Sequence, residues 1–151
     1  MQTPIERIES VVTSHWHSDH TGGLLSFLEL RVKRGITSRC VIDVHPDRPL
    51  ARGIAPGPSY DNVICSLPPD PTFEEISKAG GVVEKHGKGH VVGGGSVWVS
   101  GEIPRVTEYE AGIVGGQRWV EEGKWVSEQH IMDERYAAID VEGKGLVIFS
   151  A

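Results

Sequence analysis

An apolar, β-branched run, Ile8, Val11 and Val12, predicts a strand over residues 5–13. Leu24, Leu25, Leu28 and Val32 then fall on one face at helical spacing, which predicts a helix over residues 22–34. Lys33 and Arg34 suit its negative C-terminal end, and Gly35 stops it. Arg39-Cys40-Val41-Ile42-Asp43-Val44 reads as a short buried strand ahead of His45-Pro46. Strand, helix and strand in that order suggest a βαβ unit with parallel pairing.

Residues 46–71 are rich in Pro and Gly and predict a long irregular excursion with one strand at 62–67. Thr72 is placed to cap a helix over Phe73–Lys78, with Glu74 and Glu75 in its first turn and Gly80 ending it. Residues 81–86 read as a strand. Residues 87–95 hold five Gly and read as a hairpin connection, since their spacing matches neither a dinucleotide fingerprint nor a P-loop. Val97–Ser100 is a strand, followed by a glycine-rich loop from Gly112 to Gly116 and a charged stretch carrying Trp119 and Trp125. Tyr136–Val141 and Leu146–Phe149 read as two strands joined by a hairpin at Glu142-Gly143-Lys144-Gly145. The pattern describes a mixed α and β chain with both parallel and antiparallel pairs.

Composition narrows the class. The 151 residues suit one domain, and 38% apolar residues with 19 Gly is ordinary globular composition. A net charge of −6 leaves no basic footprint for nucleic acid, and no 18-residue apolar run spans a membrane. The first residues lack the charged head and apolar core of a signal peptide. Cys40 and Cys65 form no CxxC pair, so two reduced cysteines in a cytoplasmic protein are expected.

The candidate chemistry lies in Ser14-His15-Trp16-His17-Ser18-Asp19-His20-Thr21-Gly22-Gly23. On a strand, His15 and His17 point the same way and can close on one cation. Asp19 and His20 sit where the chain turns, free to aim at a second. Imidazole and carboxylate suit zinc, and also iron or manganese. Trp16 should point away from the two histidines, into packing. Catalytic zinc keeps three protein ligands and a water, so further ligands must come from elsewhere. His45, His90 and His130 are weak candidates for that role. Arg105 is a candidate for holding an anionic substrate group, or pairs with Glu102 in a surface turn. Asp133 and Glu134 either support ligand imidazoles or lie in a solvated turn.

The run from His15 to His20 resembles the His-x-His-x-Asp-His signature of the metallo-β-lactamase superfamily. His45-Pro46, Ser100 to Arg105 with Tyr109-Glu110, and Asp133-Glu134 before Gly143 to Ile148 are similar to one branch of it. That branch comprises proteins resembling 7,8-dihydropterin-6-methyl-4-(β-D-ribofuranosyl)-aminobenzene-5′-phosphate synthase. The resemblance implies an α/β (α+β) fold of the αββα sandwich type with a dinuclear metal site at the edge of two packed sheets. It implies two divalent ions, zinc first, with manganese and iron as alternatives. His15 and His17 would hold one ion, and Asp19 and His20 the other. Asp19 would also orient the hydroxide nucleophile and handle its proton.

The resemblance implies a metal-dependent hydrolase or transferase with a small-molecule substrate, and it leaves room for a homo-oligomer. Members of the family carry strands before the first His motif and a Cys-Ser-His-Ala-Gly turn after the strand matching Leu146–Ser150. Residues 1–151 are therefore expected to be a partial domain, incomplete at both ends and weak or inactive alone. The alternative is a metal-binding but inactive fragment that needs a partner chain, and a redox-type diiron protein ranks third.

Overall fold

A computed structural model describes residues 4–121 and 123–151. Strand β2 (Val41–Val44) is the middle of a three-stranded parallel sheet, flanked by β1 (Ser10–Val12) and β5 (Val82–Lys85). Val11 pairs with Ile42, and Ile42 with Val83, so the β-branched runs lie side by side. The chain crosses from β1 to β2 through α1 (Ser18–Thr21) and α2 (Leu24–Lys33), and from β2 to β5 through a passage containing α3 (Phe73–Lys78). These are the right-length connections for parallel pairing.

Leu24 and Leu28 of α2 meet Ile76 of α3, Ile42 and Val44 of β2, Cys40 and Trp16 in one buried cluster. Gly81 permits this closeness, because a Cβ there would meet Ile42 Cγ1 and Ile76 Cγ2 at 2.9 Å. The helix of Phe73–Lys78 forms where its sequence predicts, and its entry is doubly secured. Thr72 Oγ1 accepts from Glu75 N–H at 3.1 Å, while Glu75 Oε2 accepts from Thr72 N–H at 2.8 Å, a capping box.

Two four-stranded antiparallel sheets complete the architecture. One has β6 (Lys88–Val92), β7 (Val97–Gly101), β10 (Ala137–Val141) and β11 (Gly145–Phe149) in the order β11-β10-β7-β6. The other orders β3 (Ala51–Ile54), β4 (Cys65–Ser66), β8 (Gly116–Val120) and β9 (Lys124–Ser127) as β4-β3-β8-β9. The result is a mixed α/β fold of sheets and few helices, in keeping with a metallo-β-lactamase-type sandwich.

Several elements depart from the pattern. Residues 87–95 carry strand β6 rather than a loop, since the glycines are confined to its ends and to Gly89, which lies beside Trp98. The Pro-rich excursion holds β3 as well as β4, and the charged stretch around Trp119 and Trp125 is the β8–β9 pair. Those two tryptophans face each other across the pair at 5.3 Å, the cross-strand aromatic contact that offsets the polar composition. Cys40 is buried, Cys65 exposed, and both are free. No described helix is long and apolar enough to cross a membrane.

The loop after β2 is tied to β8 by Asp47, which accepts from both Nη atoms of Arg118 at 2.7 and 2.8 Å. That pairing holds the Asp47 carboxyl below its ordinary range. A lowered folded value means stability present above the unfolded pKa and lost as pH falls through the folded one. Asp47→Asn should therefore cost less than about 1 kcal/mol near neutral pH, because the pair is half exposed. The gap to wild type in urea unfolding should close as pH drops below 3.8.

Candidate metal centre

Strand β1 stops at Val12, so His15 and His17 do not lie on a strand as their i, i+2 spacing suggests. Residues 14–16 bend instead, and His17, extended at φ −136°, precedes the first turn of α1. The bend still turns the rings toward each other. His15 Nε2 lies 2.9 Å from His17 Nδ1, with the ring planes at 84°. Ser14 Oγ lies 3.2 Å from Nδ1 of His15 and 3.2 Å from Nδ1 of His20. Asp19 Oδ2 is 3.5 Å from His20 Nε2, and its side chain is 80% exposed. The His15 ring also lies 4.2 Å from that of His20, centroid to centroid, so the three imidazoles cluster around His15 with Asp19 at the exposed edge.

Burial, ahead of the neighbouring His17 and His20, pushes His15 down to about 4. Burial is also the main cause lowering His17, followed by the Arg52 guanidinium. Both imidazoles are therefore neutral at physiological pH and carry a free lone pair, the form a metal takes. Their facing nitrogens are close to the ligand–ligand edge of about 3.3 Å that a tetrahedral zinc with Zn–N near 2.0–2.1 Å requires. Neutral imidazoles are donors of the kind a divalent cation takes.

A buried polar network fixes the bend. Trp16 is fully buried; its Nε1 donates to His45 O at 3.0 Å and its backbone N to Asp133 Oδ2 at 2.6 Å. Arg52 of β3 donates to Trp16 O, to Asp133 Oδ1 at 2.5 Å and to Glu128 Oε2 at 2.7 Å. Arg135 N donates to Ser14 O at 2.8 Å, and its Nη2 to Thr13 O at 2.7 Å. Asp133, one alternative for which was a solvated turn, is 1% exposed and holds the backbone of Trp16 rather than an imidazole. It can do so because Trp16 turns into the core, which exposes the peptide between the two histidines to the neighbouring loop.

A second cluster lies at the ends of β2 and β5. Asp43 Oδ2 sits 2.9 Å from His86 Nδ1 and 2.7 Å from His90 Nε2, and Arg135 Nη1 donates to Oδ1 at 2.6 Å. Among the described residues, this is the one group of three His, Cys, Asp or Glu donors lying within 4.8 Å of one another, and it could hold a metal ion. The motif does not advertise Asp43 or His86, and the flanks of His90 give no hint. The available signal is an acid inside the run Val41-Ile42-Asp43-Val44: a carboxylate on a buried strand needs partners.

The remaining candidates are placed as follows. His45 is buried and its Nδ1 accepts from Asp47 N–H at 3.2 Å. Arg105 donates to Glu134 Oε2 at 2.5 Å, not to Glu102, which is exposed. His130 Nδ1 is buried without a partner among the described residues. A family model described as "Metallo-beta-lactamase superfamily" matches residues 2–107, a span that contains both clusters apart from Arg135. No curated protein matches the chain.

Proposed function

Since the chain belongs to the metallo-beta-lactamase superfamily, we propose that it is a metal-dependent hydrolase or transferase acting at an ester or phosphoester bond. The observation that carries this reading is the pair of neutral, facing imidazole nitrogens of His15 and His17, 2.9 Å apart. In this reading His15 and His17 hold one divalent ion, and Asp19 and His20 a second. Zinc is the first choice, with manganese or iron as alternatives. Such ions acidify water toward neutrality and polarise the bond under attack.

The chain's own residues do the rest. Ser14 Oγ, shared between the Nδ1 atoms of His15 and His20, sets the orientation of both rings. Asp19, 80% exposed, is free to accept the proton of the attacking water and hand it to the leaving group. Arg105 with Glu102 is proposed on the substrate side, Arg105 gripping an anionic group in exchange for Glu134. A phosphorylated, pterin-related small molecule, met in the cytoplasm, is the finer proposal for the substrate.

The test is turnover of generic phosphodiester and thioester substrates by the purified chain with zinc or manganese. Asp19→Ala should lower the rate by about 10²-fold or more. Equal rates in the two proteins would defeat the hydrolase reading and leave a metal-binding domain without catalysis.

A further inference from the structure

We infer that Asp43, His86 and His90 form a divalent-metal site of their own, separate from the His15–His20 loop, which pins the parallel sheet to the sheet containing β6. Asp43 lies on β2 and His86 directly follows β5, both in the parallel sheet; His90 lies on β6 of the other. An ion bound here would brace the two sheets where the chain passes from β5 to β6 through His86-Gly87.

The donor set is one carboxylate and two imidazoles, which suits zinc and its neighbours rather than calcium or magnesium. His90 and Asp43 are oriented from behind. His90 Nδ1 faces the Lys88 carbonyl at 3.0 Å, and a carbonyl only accepts, so that nitrogen carries a proton. The neutral ring then presents Nε2 as a bare lone pair to the point it shares with Asp43 and His86. This arrangement, with a ring N–H tied to backbone and the other nitrogen free, is how ligating histidines are held. Asp43 Oδ1 is fixed by Arg135 Nη1 at 2.6 Å, leaving Oδ2 for the ion.

Access and charge are also consistent. Asp43 is fully buried, but the His86 and His90 side chains are 35% and 17% exposed, so an ion can enter from solvent and water can complete its shell. The His86 and His90 rings stack with centroids 3.9 Å apart, which sets both beside the Asp43 carboxylate. The alternative occupant of the same space is a proton: with His90 doubly protonated, its two N–H groups would satisfy Lys88 O and Asp43 Oδ2 without any metal. Arg135 would repel an added cation in part, so that alternative is decided by measurement. Arg135 also donates to Thr13 O at 2.7 Å, which places the root of the His15 loop one side chain away from this site.

The experiment is a cobalt(II) titration of the full chain carrying His15→Ala, His17→Ala and His20→Ala, which removes the three imidazoles of the loop. One cobalt should bind, with the visible absorption of a four- or five-coordinate ion. Cobalt at 100 times its Kd should raise the unfolding midpoint by about 5–10 °C. Adding His86→Gln and His90→Gln should abolish both signals. As the combined variant can fail to fold, the same two glutamines are also placed in the otherwise unaltered chain, where bound metal should fall by one ion per chain. Cobalt that fails to bind the first variant, or bound metal unchanged by the glutamines, overturns the proposal in favour of the protonated clamp. Neither result bears on the His15–His17 pair, which is tested separately.

Discussion

Asp133→Ala should destabilise the fold by about 3 kcal/mol, the lower end of the range for breaking a buried ion pair. Asp133 is 1% exposed and accepts from Arg52 through Oδ1 and from Trp16 N–H through Oδ2. Without it, the Trp16 amide has no acceptor and Arg52 keeps Glu128 as its sole carboxylate partner in this network. That remaining pair is why the cost stays near the bottom of the range. Asp133→Asn keeps one acceptor for the amide and should lose less. Because Trp16 lies between His15 and His17, the alanine variant should also bind metal more weakly, by about 10–100-fold, the usual effect of removing support behind ligands. Urea unfolding and a metal titration read the two effects. A loss below about 1 kcal/mol would mean the network does not hold the bend.

Trp16→Ala should cost about 3–5 kcal/mol, the figure for emptying a buried aromatic site. The side chain is 0% exposed and joins the cluster of Leu24, Leu28, Ile42 and Ile76. Its ring meets Phe73 edge-on at 5.6 Å and the Arg48 guanidinium at 5.8 Å. Trp16→Phe retains most of the packing but deprives His45 O of its donor, so it should cost about 1–2 kcal/mol. The pair of variants separates packing from hydrogen bonding. Equal losses for Phe and Ala would assign the role to the indole N–H alone.

The sequence carried much of this arrangement where local signals were strong. Thr72 with the acids behind it marked the start of α3, and the glycines at 143 and 145 marked the β10–β11 hairpin. The apolar runs around Val11 and Ile42 announced a parallel pair. Other features depended on tertiary contacts that no local pattern holds. The β8–β9 pair reads as polar because its stability comes from Trp119 packing on Trp125 across the strands. Strand β6 was hidden by Gly89, whose missing side chain lets Trp98 approach. In the candidate site, the motif named the three imidazoles that cluster around His15, but strand geometry was the wrong frame, since the chain bends right after Val12. The supports Arg52, Asp133 and Arg135 lie 36 to 122 residues from their partners in the bend, beyond any spacing rule. Asp43 joins His86 and His90 across 43 and 47 residues for the same reason. β11 shows the opposite case: Leu146-Val147-Ile148-Phe149 has the apolar composition of a buried strand, yet every residue of it is exposed.

The central claim is that His15 and His17 together grip a divalent ion. The direct measurement is tightly bound metal per chain in the purified wild type and in the His15→Ala/His17→Ala variant, after dialysis and with folding verified. The account predicts that the variant loses at least one ion per chain. Equal metal content in the two proteins would contradict it.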